Sequence, residues 1–442
     1  MIKIFISLAE HEAIFYDKIC QKLNINNKIN AVQITFHEGA YNLLKKNKYI
    51  YNIFENLNYK NNFNLNREVR EKFLHDQVVY EISDKKIIEK KFLSYIGAIS
   101  NIVKLIKLLD KNIIFVQEIG GFTPHWSVYY YAKKNKINHY FIEPSFFNDR
   151  FFIIKNNFNY KIKLNKKLKL LSKHKRIFLK LKNSREFIST YHLKYKYSSP
   201  IKKIFQFRNY KRLLEKILFK YIKKNKEEFK YLKSYLYNFI KSIYNFYKLK
   251  KFYKDLNSID RNKRIIFYPF HVPVDFSLTI RSPDFLNQVK TLDKISNLLD
   301  NQFQIIIKEH PSMIGSISSR KIINLLRKNE KITLLNPHIN SKDVIKLSDT
   351  IITINSKIGV EALLLQKMVI SLGTSFYQEC PLINKINSIE EIKKCFEKKK
   401  FYRQNDVFKY LNSIWNKSFK GSLFNLKKSN IKIFLKTLKK LK

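Results

Sequence analysis

Acidic residues are scarce in this chain: Asp and Glu number 35 against 86 Lys and Arg, a formal net charge of +51. Glycine is scarcer still, at 8 in 442 residues. There are 3 cysteines, and Cys20, Cys380 and Cys395 lie far apart with no Cys-x-x-Cys spacing. That argues against a disulfide framework or a zinc site and fits a reducing compartment. No uninterrupted apolar run reaches about 18 residues, so no membrane-spanning helix is expected. Residues 1–8 enter a strand-like run without a basic n-region or cleavage site, so no signal peptide is expected. Gly-x-Gly-x-x-Gly, Gly-x-x-x-x-Gly-Lys-Ser/Thr and Gly-x-Ser-x-Gly are all missing. A dinucleotide fingerprint, a P-loop and a nucleophile elbow are therefore unsupported.

What is present is ample core material: 45% hydrophobic residues, with 36 Phe and 27 Tyr, in a chain long enough for two or three domains. Part of the positive charge follows a general richness in Lys, Asn and Ile, as an AT-rich coding sequence gives. That bias does not explain the shortage of acids. The excess implies an anionic partner: phospholipid, polyanionic glycan or nucleic acid. Lysine outnumbers arginine, which suits diffuse attraction to a surface better than bidentate readout.

Residues 1–160 alternate strand and helix patterns. Strands are expected at 2–8, 31–36, 113–117 and 139–142, and helices at 10–23, 92–109 and 126–134. This alternation predicts a parallel α/β sheet. Residues 161–262 are dense in Lys, Tyr, Phe and Leu, lack glycine, and show helical periodicity over 212–224 and 227–251. They read as a basic, aromatic-rich helical insertion that either docks on anionic lipid or is simply solvated. Alternation returns over 263–385, with strands expected at 264–268, 303–307, 331–335, 350–354 and 368–372. Residues 386–442 read as a basic helical tail.

Two stretches stand out in the second half. Lys308-Glu309-His310-Pro311 follows one apolar strand pattern, and Asn355-Ser356-Lys357-Ile358-Gly359-Val360-Glu361-Ala362 follows another. Ligands of open parallel sheets bind at strand C-termini, where helix N-termini offer N–H groups to phosphate. His310 there can donate to a phosphate, and Pro311 directs the chain away from the strand. Ser356 is expected as a helix N-cap, Gly359 as a close-packing position, and Glu361 as an acceptor for ribose hydroxyls. A loop histidine and an ordinary capping pattern read equally from each stretch alone. His271 and Asp275 lie in the polar loop after strand 264–268 and can face a ligand or merely order that loop. In the first half, Glu38, Glu118 and Glu143 each end a strand. Each can serve as a general base or as a cap or ion-pair partner, with Glu118 and Glu143 ranked above Glu38. Asp-x-Asp, the metal clamp of many sugar-nucleotide transferases, is missing.

Together Tyr268-Pro269-Phe270-His271-Val272-Pro273-Val274-Asp275, Ile307-Lys308-Glu309-His310-Pro311 and the run from Ile354-Asn355-Ser356 to Leu372-Gly373 resemble the capsule polysaccharide synthesis family, the Kdo-type bacterial glycosyltransferases. Tyr140-Phe141-Ile142-Glu143 matches more weakly. The strong part covers 264–378, and His271 stands where that family more often carries Gln. The resemblance implies a GT-B-like α/β enzyme. Residues 1–160 would form an acceptor domain and 263–385 a nucleotide-sugar domain, both Rossmann-type and facing a cleft. It implies transfer of Kdo or a related acidic sugar from a CMP-activated donor to a lipid-linked or glycan acceptor, with no metal or other cofactor. Glu118, Glu143 and His310 would be catalytic. His271, Asp275, Lys308, His310, Pro311, Asn355, Ser356, Gly359 and Glu361 would bind the donor. The expected setting is the inner face of the cytoplasmic membrane, peripheral, beside other proteins of capsule assembly and polysaccharide export. A CDP-polyol phosphotransferase of teichoic-acid type and a basic nucleic-acid-binding protein are the alternatives.

Overall fold

The structure, a computed structural model, describes residues 1–25, 28–57, 65–185, 200, 205–222, 231–397 and 402–441. Residues 186–199, 201–204 and 223–230 of the expected insertion and its helices, and 398–401 and 442 of the expected tail, lie outside the described residues. The strands are β1 (Ile2–Ser7), β2 (Ala31–Thr35), β3 (Ile50–Asn52), β4 (Ile113–Glu118), β5 (His139–Pro144), β6 (Arg150–Lys155), β7 (Arg264–Pro269), β8 (Phe303–Lys308), β9 (Ile332–Leu334), β10 (Thr350–Thr353), β11 (Met368–Ser371), β12 (Asn384–Lys385) and β13 (Phe419–Lys420). The main helices are α1 (Glu10–Leu23), α2 (Lys85–Leu109), α3 (Thr123–Lys134), α4 (Ser172–Asn183), α5 (Phe207–Ile217), α6 (Tyr231–Leu249), α7 (Ile358–Leu364) and α8 (Lys428–Leu438).

The chain forms two compact units. Unit 1 comprises Met1–Phe158, Tyr210–Ser234 and Ser418–Lys442, and unit 2 comprises Asn159–Asn209 and Tyr235–Lys417. The segment distinguished by composition, 161–262, is thus shared between the units, and the chain returns to unit 1 at Ser418. Each unit is α/β, as expected. Unit 1 holds a seven-stranded sheet in the order β13-β6-β5-β4-β1-β2-β3, and unit 2 a six-stranded sheet in the order β12-β11-β10-β7-β8-β9. Both therefore follow the doubly wound order 3-2-1-4-5-6. All pairings in unit 2 are parallel. In unit 1 the edge departs from that rule: β6 runs antiparallel to β5, and β13 antiparallel to β6. This edge was not anticipated. It is a hairpin whose turn puts Asp149 at φ 55°, a conformation that Asp tolerates better than most residues.

Alternation along β4 divides the unit 1 core into two faces. Ile114 and Val116 pack with Phe15, Tyr16 and Ile19 of α1 and with Phe434 and Leu438 of α8. On the opposite face Phe115 meets Tyr131 of α3, and Gln117 Nε2 donates to the His125 carbonyl. The helix expected at 92–109 begins at Lys85, because Asp84 caps it: Asp84 Oδ1 accepts from the Lys86 N–H at 2.9 Å. That helix, α2, has the length and mean hydropathy, 1.5, of a membrane span, although lysines interrupt its apolar residues. Half of the apolar stretch is buried within the protein. Ile88, Phe92, Ile96, Ile99, Val103 and Ile106 form its buried stripe, and Phe92 meets Tyr130 of α3. This packing is that of a core helix.

Candidate active site

The strand order marks one place in each sheet where a crevice opens. Successive strands proceed in one direction from the first strand, then in the other, and ligands bind at the C-terminal ends where the direction reverses. In unit 2 that place lies between β7 and β10, and in unit 1 between β1 and β4.

At the unit 2 switch point the structure brings His271 and Asn355 together. The Asn355 N–H donates to His271 Nε2 at 3.2 Å. An imidazole nitrogen that accepts from an N–H carries no proton, so Nδ1 bears it. Burial pushes the His271 pKa down to about 4, so the ring is neutral at physiological pH. Gln288 clamps the His271 backbone from both sides, accepting from its N–H at 2.7 Å and donating to its carbonyl at 3.0 Å. Asn355 Nδ2 reaches the Ser277 carbonyl and Ser282 Oγ, and Ser282 Oγ also takes the Thr374 N–H. His271 therefore braces the β7 loop to the end of β10. Asp275 is exposed, and its carboxylate caps the short helix Phe276–Thr279 by accepting from the Ser277 N–H at 2.7 Å.

Ser356 is not the N-cap. The helix begins at Ile358 with Lys357 in the cap position, and Ser356 Oγ lies 3.4 Å from the Ile358 N–H. The Ser356 N–H in turn donates to Thr353 Oγ1 at 3.4 Å. Both bonds are at the long limit, so a charged acceptor would compete well for these groups. Gly359 permits the close approach assigned to it: a Cβ there would lie 2.7 Å from the Tyr377 hydroxyl, which donates to the Ser356 carbonyl at 2.6 Å. Glu361, on the first turn of α7, is half-buried. Desolvation pushes its carboxyl up to about 7 against the pull of Lys357, Lys342 and Lys308.

The neighbouring strand β8 ends in Lys308, buried, with Nζ 3.4 Å from the Pro337 carbonyl. Burial lowers its pKa to about 8. His310 Nδ1 accepts from the Ser312 N–H at 3.3 Å, which places the ring proton on Nε2 and makes that edge a donor. Pro311 leads the chain into the turn. Glu309 and Lys342, to which the sequence motifs assign no role, organise this end of the sheet. Glu309 is buried and accepts from the Tyr253 hydroxyl at 2.8 Å and the Gly315 N–H at 3.0 Å. Burial pushes its carboxyl up to about 7. Lys342 donates to the carbonyls of Leu181 and Lys182, closing the C-terminus of α4.

The unit 1 switch point is acidic. Alternation along β4 directs Glu118, like Ile114 and Val116, to the α1 face. There Glu12 folds back so that Oε2 accepts from the Leu8 N–H at 2.8 Å. Register pairs Ile6 with Gln117, so the end of β4 that carries Glu118 lies beside the end of β1 that leads into α1 and Glu12. Burial pushes both carboxyls above the ordinary range, Glu12 to about 7 and Glu118 to about 8, and the charges of Glu12 and Glu143 add to the shift of Glu118. The buried Tyr16 hydroxyl lies beside the same pair. Glu12 was missed although it follows a strand as Glu118 does: only the strand order reveals that β1 is the neighbour of β4. Glu143 projects to the other face, alternating with Ile142, and is half-buried opposite Phe152. Glu38 opens the helix Glu38–Leu44 after β2. The Gly120-Gly121 loop carries no open helix end, because Asp76 Oδ2 accepts from the Thr123 N–H and hydroxyl.

A family profile described as "Capsule polysaccharide biosynthesis protein" matches residues 186–405. Protein FixF of Sinorhizobium fredii (strain NBRC 101917 / NGR234) is 29% identical over 161 residues, which are 36% of this chain and 39% of that protein. The match thus spans about two fifths of that curated relative. Among solved structures, the β-Kdo 2,7 transferase of Thermosulfurimonas dismutans KpsC is similar at a TM-score of 0.36 and 16% identity, over 76% of this chain and 89% of that one. Its β-Kdo 2,4 transferase is similar at 0.30 and 11%, over 85% and 96%. UDP-GlcNAc 2-epimerase from Neisseria meningitidis bound to UDP-GlcNAc is similar at 0.25 and 13%, over the whole of both chains. Segment 186–405, which contains the β7, β8 and β10 strand ends, is thus of the capsule polysaccharide biosynthesis protein family.

Proposed function

We propose that this protein is a glycosyltransferase of capsule or surface polysaccharide biosynthesis, transferring Kdo or a related acidic sugar from a CMP-activated donor to a lipid-linked or glycan acceptor. The observation that carries the reading is the unit 2 switch point. Ser356, Lys357 and the neighbouring His310 Nε2 edge present donors and positive charge there, as a nucleotide phosphate requires. Glu361 is the acceptor for ribose hydroxyls. His271 and Asn355 set the geometry of the crevice, and Gly359 sets the seat of α7.

The acceptor hydroxyl attacks the anomeric carbon, and the bond to the donor phosphate breaks. Hydrogen bonds from Ser356 and His310 hold the charge that grows on the leaving phosphate. A carboxylate is the proposed base. Neighbouring desolvated carboxylates cannot both ionise easily, so the Glu12–Glu118 pair retains one proton near neutral pH, and its ionised member is the candidate to take the acceptor's proton. The reading makes the transfer independent of metal, with an unchanged rate in chelator as the expected result. It places the protein on the inner face of the cytoplasmic membrane, working with other capsule assembly proteins.

The test is thermal stabilisation by CMP, CDP, UDP and GDP. A ligand at a hundredfold excess over its Kd adds about 2.7 kcal/mol, a shift of about 2–4 °C for a chain of this size. Selective stabilisation by CMP, lost in His310→Ala, is expected. Preference for CDP would move the activity to polyol-phosphate transfer, and indifference to all four would remove the reading.

A further inference from the structure

Helix α6 has two unlike faces. Leu236, Tyr237, Ile240, Tyr244 and Tyr247 form an outward stripe at helical spacing, with Ile240 65% and Tyr247 70% exposed. Lys241 lies over the Tyr237 ring at 5.3 Å, and Lys248 over Tyr244 at 5.6 Å. From 231 to 254 every charged residue is a lysine, and no acid interrupts them. A face of tyrosines and an isoleucine flanked by lysines fits the boundary of an anionic bilayer: rings and aliphatic groups enter at headgroup depth while ammonium groups meet phosphates. In unit 1, α5 and the turn after it repeat the pattern, with Tyr210, Leu214, Leu218 and Tyr221 exposed.

The inward face of α6 is fastened to the turn that carries His310. Asn245 is 4% exposed. Its Nδ2 donates to the Gly315 carbonyl at 2.9 Å, and its Oδ1 accepts from the Ser319 N–H at 3.0 Å. Gly315 has φ +79°, and a Cβ there would lie 2.1 Å from the Ser242 carbonyl oxygen, so backbone meets backbone. The N–H of Gly315 donates to Glu309 at 3.0 Å. Both sides of this glycine are held, one by the helix and one by the residue before His310.

We infer that α6 is an interfacial helix whose outer face seats on an anionic bilayer, and that this seat fixes the His310 turn and so tunes nucleotide affinity. The inference deepens the peripheral placement proposed above. The test floats the full-length protein with vesicles of phosphatidylglycerol and phosphatidylcholine, and measures CMP affinity with and without them. Wild type floats with the anionic vesicles and not with phosphatidylcholine alone. Ile240→Asp with Tyr244→Asp weakens flotation at least about tenfold. Anionic vesicles tighten CMP binding about threefold or more in wild type. Asn245→Ala still floats, which shows it is folded, but its CMP affinity ignores the vesicles. Equal flotation by the double variant would overturn the assignment of the surface. Loss of a concentration-dependent dimer in that variant, with no flotation by wild type, would assign the stripe to a second copy instead. Flotation without any change in CMP affinity would overturn the coupling. Flotation with no CMP binding at all would remove the proposed donor while leaving the docking face in place.

Discussion

Unit 1 and unit 2 wind their strands in the same order, yet their switch points carry opposite chemistry. Between β1 and β4 stand two glutamates with raised carboxyls, Glu12 buried and Glu118 half-buried, and the helix end on the far face is already occupied by Asp76. Between β7 and β10 stand a neutral histidine, an asparagine and a serine, with Lys308, Lys342 and Lys357 close enough to hold down the Glu361 pKa. In the proposed function the same topology serves as a proton-handling end in one unit and an anion-receiving end in the other. Fold alone assigns neither role; the residues at the strand ends do.

The comparison is broken most severely at Glu118. Glu118→Gln is expected to lower transfer about 10²–10⁴-fold, the range of general base catalysis, while CMP still stabilises the protein. Stability adds a second readout. A carboxyl raised on folding favours the folded state while protonated, and that contribution fades as pH rises from the ordinary range toward the folded value. Wild type therefore loses stability on going from pH 5 to pH 8, and Glu118→Gln loses less. Equal pH slopes in melting experiments would show that Glu118 is not buried as a raised acid.

At the other switch point, Ser356→Ala is expected to weaken CMP binding by about 1–3 kcal/mol, as loss of a charge-assisted hydrogen bond does, without altering the pH slope of stability. Titration calorimetry at two pH values separates these effects. Gly359→Ala drives a methyl into the Tyr377 hydroxyl and should destabilise by about 1–3 kcal/mol, read as a lower melting temperature with a weaker CMP response. The smallest effect is expected at Asp275. Asp275→Ala removes an exposed cap and should cost about 0.5–2 kcal/mol. CMP affinity that falls with Asp275→Ala more than stability does would make it a ligand residue and not a cap.

Strand–helix alternation made the class of both sheets legible, because buried parallel strands are apolar throughout and lie between amphipathic helices. The antiparallel edge was not legible: β6 follows β5 through a short turn that reads as the end of a strand, and β13 joins it from 268 residues further on, Arg150 Nε reaching Ser418 Oγ. The donors at the unit 2 strand ends were recognisable because they sit in contiguous runs with glycine and proline beside them. Glu12 was not, because its importance lies in the pairing of β1 with β4, and pairing is a property of the sheet. Glu309 stood inside a recognised run, yet its role depends on Tyr253 and Gly315, brought together by folding. Ser356 was placed at the helix start to within two residues, the usual uncertainty where a loop serine and a lysine compete for the cap.

The most direct test of the division of labour is a paired measurement of CMP affinity and sugar transfer on Glu118→Gln and Ser356→Ala. The account predicts that Glu118→Gln keeps its CMP affinity and loses transfer, and that Ser356→Ala loses affinity while retaining the wild-type pH profile of whatever transfer remains. CMP affinity lost in Glu118→Gln and kept in Ser356→Ala would reverse the two units and contradict the account.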